Sequence, residues 1–220
     1  MQADLILNFH GVGQPARALE PGEAAYWISA DQFHAIVEEI RKAPRRVGIT
    51  FDDGNASDLE ICAPVLADAG LSATIFVLAG RIGQAGSLGP PELLQLQEMG
   101  FTIGTHGHDH RDWRRLDKAG EKRELIEARE IIAATCGGPV LEAAIPFGNY
   151  NRRVLTMLRG HGYERVYSSD GGPAGDGWLV PRTSVRADTS PARIREVLSG
   201  QESAFRQLRR SAAMLRKRLF

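Results

Sequence analysis

Short apolar, β-prone runs alternate with helical stretches along the whole chain. The runs predict strands at Leu5–Phe9, Val47–Thr50, Ala73–Val77, Phe101–Thr105, Val140–Ile145, Arg165–Ser168 and Trp178–Val180. Between them, helices are predicted at Asp31–Lys42, Ser57–Ala69, Pro90–Met99, Ala119–Thr135, Asn151–Arg159 and from Pro191 onward. Asp31 and Ser57 precede helical segments and read as N-caps, while Gly70 and Gly100 read as stops. Pro64 falls inside the second helix, where it calls for a kink or a late start.

Strand–helix alternation implies a mainly parallel sheet. The strand runs are almost continuously apolar, as expected when helices cover the sheet. Roughly seven strand–helix units in ~200 residues suit a closed or nearly closed α/β barrel better than a small open sheet. No repeat, low-complexity segment or linker divides the chain. Residues 1–190 therefore read as one barrel, with 191–220 a C-terminal basic helix within it or appended to it. The Gly-rich stretch 168–178 reads as a surface loop between late strands.

Three polar clusters stand at the C-terminal ends of predicted strands: Asp52 and Asp53; His106, His108 and His110; Pro146, Phe147 and Gly148. In parallel α/β folds that edge gathers side chains from distant sequence. Two adjacent carboxylates repel each other, and "DDG" alone is also a common turn signal. The histidines change the picture. His106 and His110 stand four apart, a chelating spacing if the segment makes a helical turn, whereas His108 points elsewhere and reads as a bystander. Two histidines and one carboxylate leave positions open for water and substrate, the pattern of a catalytic metal. One Asp can then ligate while its neighbour serves as general base.

These segments resemble the polysaccharide deacetylase, or NodB-homology, family. "TFDDG" at 50–54 resembles its first motif, which implies Asp52 as base and Asp53 as metal ligand. "THGHDH" at 105–110 resembles the second, implying ligation by His106 and His110. "IPFGNYN" at 145–151 resembles the third, whose Pro-aromatic-Gly turn (Pro146, Phe147, Gly148) lines the groove and whose aromatic amide serves the oxyanion site. The resemblance runs from about residue 5 to 185. It implies a distorted (β/α)7-type barrel and hydrolysis of an N-acetyl, less often O-acetyl, group on a sugar with a divalent metal, Zn²⁺ foremost. Two features depart from the family. Its Arg two residues before the Pro is Ala144 here, and Arg182 in "VPRTSV" is the candidate substitute. Its late acid His has no counterpart after His161, which leaves His10, at the end of the first strand, as the candidate acid. Tyr26, Trp27, Trp113 and Trp178 fall in predicted loops from which an aromatic ring can stack on a sugar.

Charge and composition add limits. Lys plus Arg equals Asp plus Glu at 27 each, so nothing argues for nucleic acid. Six basic and no acidic residues lie from Arg206 to Arg218. That run is a solvated helix face or a weak anchor to anionic lipid or a phosphorylated carrier. No stretch approaches the ~20 apolar residues of a spanning helix. The N-terminus shows no leader pattern, and Cys62 and Cys136 lack redox or metal spacing. A cytoplasmic address is expected, which favours a nucleotide-sugar or lipid-linked precursor over wall polysaccharide as substrate. Two other classes stay open: a non-haem Fe(II) oxygenase, which uses the same ligand types but has no use for the second Asp, and a weakened barrel that only binds glycan.

Overall fold

The computed structural model describes residues 3–202 and 204–219. Among these residues eight strands form one sheet: β1 (Leu5–Phe9), β2 (Val47–Asp53), β3 (Thr74–Val77), β4 (Thr102–Thr105), β5 (Glu142–Ala144), β6 (Arg165–Ser168), β7 (Leu179–Pro181) and β8 (Thr183–Ser184). Their order is β7-β6-β5-β4-β3-β2-β1-β8, and every pairing is parallel. Only Arg182 separates β7 from β8. One extended segment therefore pairs with β6 through Leu179–Pro181 and with β1 through Thr183–Ser184, and the sheet comes round into a nearly closed barrel.

Helices α1 (Ala30–Arg41), α2 (Ala63–Asp68), α3 (Pro90–Glu98), α4 (Lys118–Glu121), α5 (Ala128–Cys136), α6 (Arg152–Gly160), α7 (Pro191–Ser199) and α8 (Ala204–Leu219) surround it. The main apolar core lies between strands and helices, with Leu5, Leu7, Phe9, Ile49 and Phe51 meeting Phe33, Ile36, Leu66 and Ile194. Strand alternation turns the residues between them the other way. Ile6, Phe76, Ala144, Tyr167 and Val180 fill the barrel interior, and Asn8, Thr50 and Asp52 join them.

Several local expectations change. The first helix is capped by Ser29, whose extended backbone lets its Oγ accept from Gln32 N at 3.1 Å, and Asp31 lies in the first turn. Ser57 has helical backbone angles and makes no cap; its Oγ accepts from Val12 N instead. A π turn, Asp58–Cys62, leads into α2 and puts Pro64 in that helix's first turn. The "surface loop" 168–178 is partly structural: Pro173 bridges to Leu5, and Ala174 is buried with its N–H on Asp4 O.

The C-terminal stretch is two helices, broken at Gly200 (φ 72°). α7 buries Ile194, Val197 and Leu198 in the main core, so the fold does not end at 190. The basic run belongs to α8. Two of its cations point inward, Arg210 to Glu202 and Lys217 Nζ to Asp170 Oδ1 (2.7 Å) and Gly148 O (2.9 Å). Leu208 and Leu215 point outward at 70% and 59% exposure. Among the described residues no helix is long and apolar enough to cross a membrane.

Candidate active site

At the C-terminal mouth of the barrel, Asp52 continues the inward face of β2. Arg182 reaches it from the β7–β8 joint and binds it with both arms, Nη1 to Oδ1 at 2.7 Å and Nη2 to Oδ2 at 2.8 Å. Asn8 Nδ2 donates to Oδ2 at 2.9 Å, and Arg182 Nη1 also meets Asn8 Oδ1 and Thr50 Oγ1. Arg182 is wholly buried, over the rings of Phe76 and Tyr167. Burial opposes a charge on Asp52, but the Arg182 guanidinium outweighs it and holds the carboxyl far below the usual carboxylate range.

By alternation Asp53 should face the helices. A left-handed backbone (φ 79°) turns it back to the mouth. Its Oδ1 lies 3.8 Å from His106 Nε2 and 3.8 Å from His110 Nε2. That oxygen is buried and has no hydrogen-bond partner. The two imidazoles face it for a definite reason. His106 Nδ1 is 2.9 Å from Ala144 O, and His110 Nδ1 is 2.8 Å from Glu20 Oε2. Carbonyl and carboxylate oxygens only accept, so both rings donate from Nδ1, which makes Nε2 the lone-pair atom of each ring in its neutral form. Burial pushes the His106 imidazole down to about 4, against the pull of Asp52, so it is neutral at physiological pH. Three ligand-type atoms from Asp53, His106 and His110 thus lie within 4.8 Å of one another.

The histidines do not converge on a helix. Residues 106–110 form a loop with left-handed turns at Gly107 (φ 93°) and His110 (φ 55°). A Cβ at Gly107 would lie 2.3 Å from Glu124 Oε2, a contact that only glycine allows. Glu124, fully buried, holds the loop by accepting from His108 N, Asp109 N and Trp113 Nε1. Among the described residues, the non-glycine residues with left-handed backbone are Asp53, His110 and Phe147, all at this mouth. Strain of that kind costs on the order of 1–3 kcal/mol each and persists where the surroundings impose it.

The sequence profile of the polysaccharide deacetylase family matches residues 39–166, which hold the three polar clusters. The chain belongs to this family. The Bacillus subtilis (strain 168) protein YxkH, which bears a polysaccharide deacetylase name, is 25% identical over 158 residues. The match covers 72% of this chain and 54% of YxkH, so the chain spans about half the length of that curated relative. Among solved structures, the Streptococcus pyogenes deacetylase PplD, in complex with acetate, superposes with a TM-score of 0.76 at 18% identity, covering 90% of this chain and 99% of PplD. IcaB from Ammonifex degensii gives 0.72 at 19% identity, covering 91% and 99%. At such identities these likenesses speak for the fold.

In this member of the family, His10, Glu20, Glu23, Tyr26, Asp52, Asp53, His106, His110, Phe147, Ser169 and Ser184 line one cleft. Of the expected groove residues, only Phe147 does so. It is 57% exposed, with its ring 4.3 Å from that of His110. Pro146 and Gly148 are buried and shape the turn, and Arg182 lies beneath Asp52 inside the barrel. The His10 ring lies against that of Tyr26, with centroids 4.7 Å apart and planes tilted by 34°, and its buried Nδ1 has no partner. Of the four loop aromatics, Tyr26 alone lines the cleft: Trp27 covers Gly11, Trp113 is core, and Trp178 donates to Tyr163 O. His108 pairs with Asp109 outside the triad.

The sequence alone does not single out Asn8, Glu20, Glu124 or Asp58. Asn8 carried a signal, a polar residue within the apolar "LILNF". Glu20 and Glu124 look like any surface acid until the fold brings them inward. Burial first, and then the Asp53 charge, push the Asp58 carboxyl well above its usual range.

Proposed function

We propose that the protein is a divalent-metal-dependent carbohydrate deacetylase that removes an acetyl group, N-acetyl foremost, from a sugar or glycan precursor. The observation that carries this reading is the buried, unpartnered Asp53 Oδ1 facing the Nε2 atoms of His106 and His110, with the ionised Asp52 beside them. A buried carboxylate oxygen without a partner is costly, and a cation removes that cost. Asp53, His106 and His110 would hold the ion, and their N/O set suits Zn²⁺. When bound, the ion supplies a Lewis acid for the acetyl carbonyl and lowers the pKa of a water.

The chain's own residues do the rest. Asp52, pinned by Arg182 and Asn8, stays ionised at any pH at which the enzyme works and receives the water's proton. The Phe147 N–H donates to the carbonyl oxygen as charge builds there. His10 donates to the leaving nitrogen, since an amide anion is too poor a leaving group. Tyr26 and Phe147 flank the cleft as apolar walls for a sugar ring. The binding-only alternative leaves Asp52, Arg182 and Asn8 without a purpose. The oxygenase alternative leaves Asp52 without one and loses ground with the family assignment.

Acetate release from N-acetylated sugars, nucleotide-linked, lipid-linked and polymeric, tests the reading. Activity should need about one divalent ion per chain and vanish on chelation. His106→Ala and His110→Ala should lose the ion by elemental analysis, and His108→Ala should keep it. A double His106/His110 variant that stays loaded would sink the assignment.

His10→Gln should slow N-acetyl hydrolysis far more than O-acetyl hydrolysis, because an alkoxide departs with less help. Equal rates on both, unchanged from the parent, would remove His10 from the mechanism. A cytoplasmic site of action goes with this proposal and rests on Cys62 and Cys136, both buried and unpaired; cell fractionation checks it. An anionic membrane is proposed as a weak partner through Leu208, Leu215 and Arg216 on the outer face of α8. Co-sedimentation with phosphatidylglycerol vesicles should fall in a Leu208→Gln/Leu215→Gln variant, and equal sedimentation would refute it.

A further inference from the structure

The two histidines of the triad are held very differently. His106 follows β4 directly, with its N–H on Val77 O at 2.8 Å, its ring on Ala144 O, and 2% exposure. His110 lies in a loop, on left-handed backbone, and belongs to no strand or helix. The hydrogen-bond partner of its ring comes from the far side of the cleft, in the loop between β1 and α1.

That partner is Glu20, and its two oxygens are divided. Oε2 accepts from His110 Nδ1 at 2.8 Å, and Oε1 receives Arg81 Nη2, from the turn after β3. The loop is braced around this point. Glu23 Oε2 accepts from Glu20 N at 2.7 Å, Arg17 pairs with Glu23, and Arg17 Nη2 reaches Asn55 Oδ1 at 2.8 Å. The same loop carries Tyr26, a wall of the cleft.

We infer that Glu20 is a positioning residue for metal binding. It holds the proton of His110 on Nδ1, fixes the ring so that Nε2 faces Asp53, and thereby couples the β1–α1 loop to occupancy of the triad. The inference rests on the proposed metal site and adds to it a residue that does not touch the ion. A carboxylate behind a ligating imidazole fixes its tautomer and raises its basicity, and removing such a partner typically weakens metal affinity by about 10–100-fold.

Glu20→Gln is a sharp test because it keeps size and packing but leaves one oxygen for two donors. The Arg81 guanidinium takes that oxygen. The amide NH₂ then faces His110 and favours the tautomer with the proton on Nε2, which closes the ligand atom. Zn²⁺ affinity should be measured by chelator competition at neutral pH for the parent chain, Glu20→Gln, Glu20→Ala and the control His108→Ala. The expected result is a loss of about 10–100-fold for both Glu20 variants and none for the control. In the metal-free protein, two-bond ¹H–¹⁵N spectra should show His110 protonated on Nδ1 in the parent and shifted towards Nε2 in Glu20→Gln, a change that a merely structural role would not produce. Circular dichroism establishes that each variant is folded, and if Glu20→Ala is not, Glu20→Gln decides.

Parent-like affinity and tautomer in a folded Glu20→Gln would overturn the role of Glu20 and leave the metal site standing. A parent chain that binds no Zn²⁺ or other divalent ion would overturn both.

Discussion

Asp52→Asn is expected to lower turnover by about a hundredfold or more, the usual contribution of a positioned base, while the triad keeps its metal. The two adjacent carboxylates have different surroundings, and this sets their roles apart. Asp52 has both oxygens bonded by Arg182 and Asn8, and Oδ2 stands 4.0 Å from His106 Nε2. Asp53 Oδ1 has no hydrogen bond and faces both Nε2 atoms. In the proposed reaction the proton therefore goes to the first and the ion to the second. Asp53→Asn should accordingly weaken metal binding first and activity as a consequence. Turnover with metal content, measured on both variants, checks the division. Metal lost from Asp52→Asn but kept by Asp53→Asn would exchange the roles.

Arg182→Met should cost about 3–5 kcal/mol of stability near neutral pH, because it strands the Asp52 charge in a buried site. Arg182 and Asp52 are almost completely shielded, at 0% and 3% side-chain exposure, so solvent does little to soften the loss. The pH dependence has a definite sign. In the parent chain the folded Asp52 carboxyl lies below its unfolded value, so its contribution is present above about pH 4 and is lost only as pH falls through the lower, folded value. Without Arg182, burial raises the folded carboxyl above its unfolded value. The variant then takes up a proton on folding, and its deficit shrinks as the pH falls through that raised value. Urea denaturation of both proteins from pH 7 down to pH 4 checks this. A deficit under 1 kcal/mol at pH 7, or one that grows in acid, would show that the pair does not carry the load assigned to it.

Much of this protein follows from local sequence. The β-prone runs at Leu5–Phe9 and Arg165–Ser168 mark strands to the residue, because branched and aromatic side chains at their centres suit a strand covered by helices. The alternation with helices implies a parallel barrel, and the strand ends locate Asp52, Asp53, His106 and His110 along one rim. These are properties of neighbours in sequence, and spacing conveys them. Other features depend on groups that meet only when the barrel closes. Asp53 faces the rim through a left-handed backbone that strand periodicity argues against. His110 joins His106 through a glycine-dependent loop held by Glu124, where spacing suggested a helical turn. Arg182 comes from 130 residues away to one of two chemically identical carboxylates. Glu20 arrives from 90 residues away behind one of two similar histidines. Sequence determined which residue types stand at the rim. The division of labour between like residues was decided by the tertiary structure, because it is set by which partner each polar atom finds once water has been excluded.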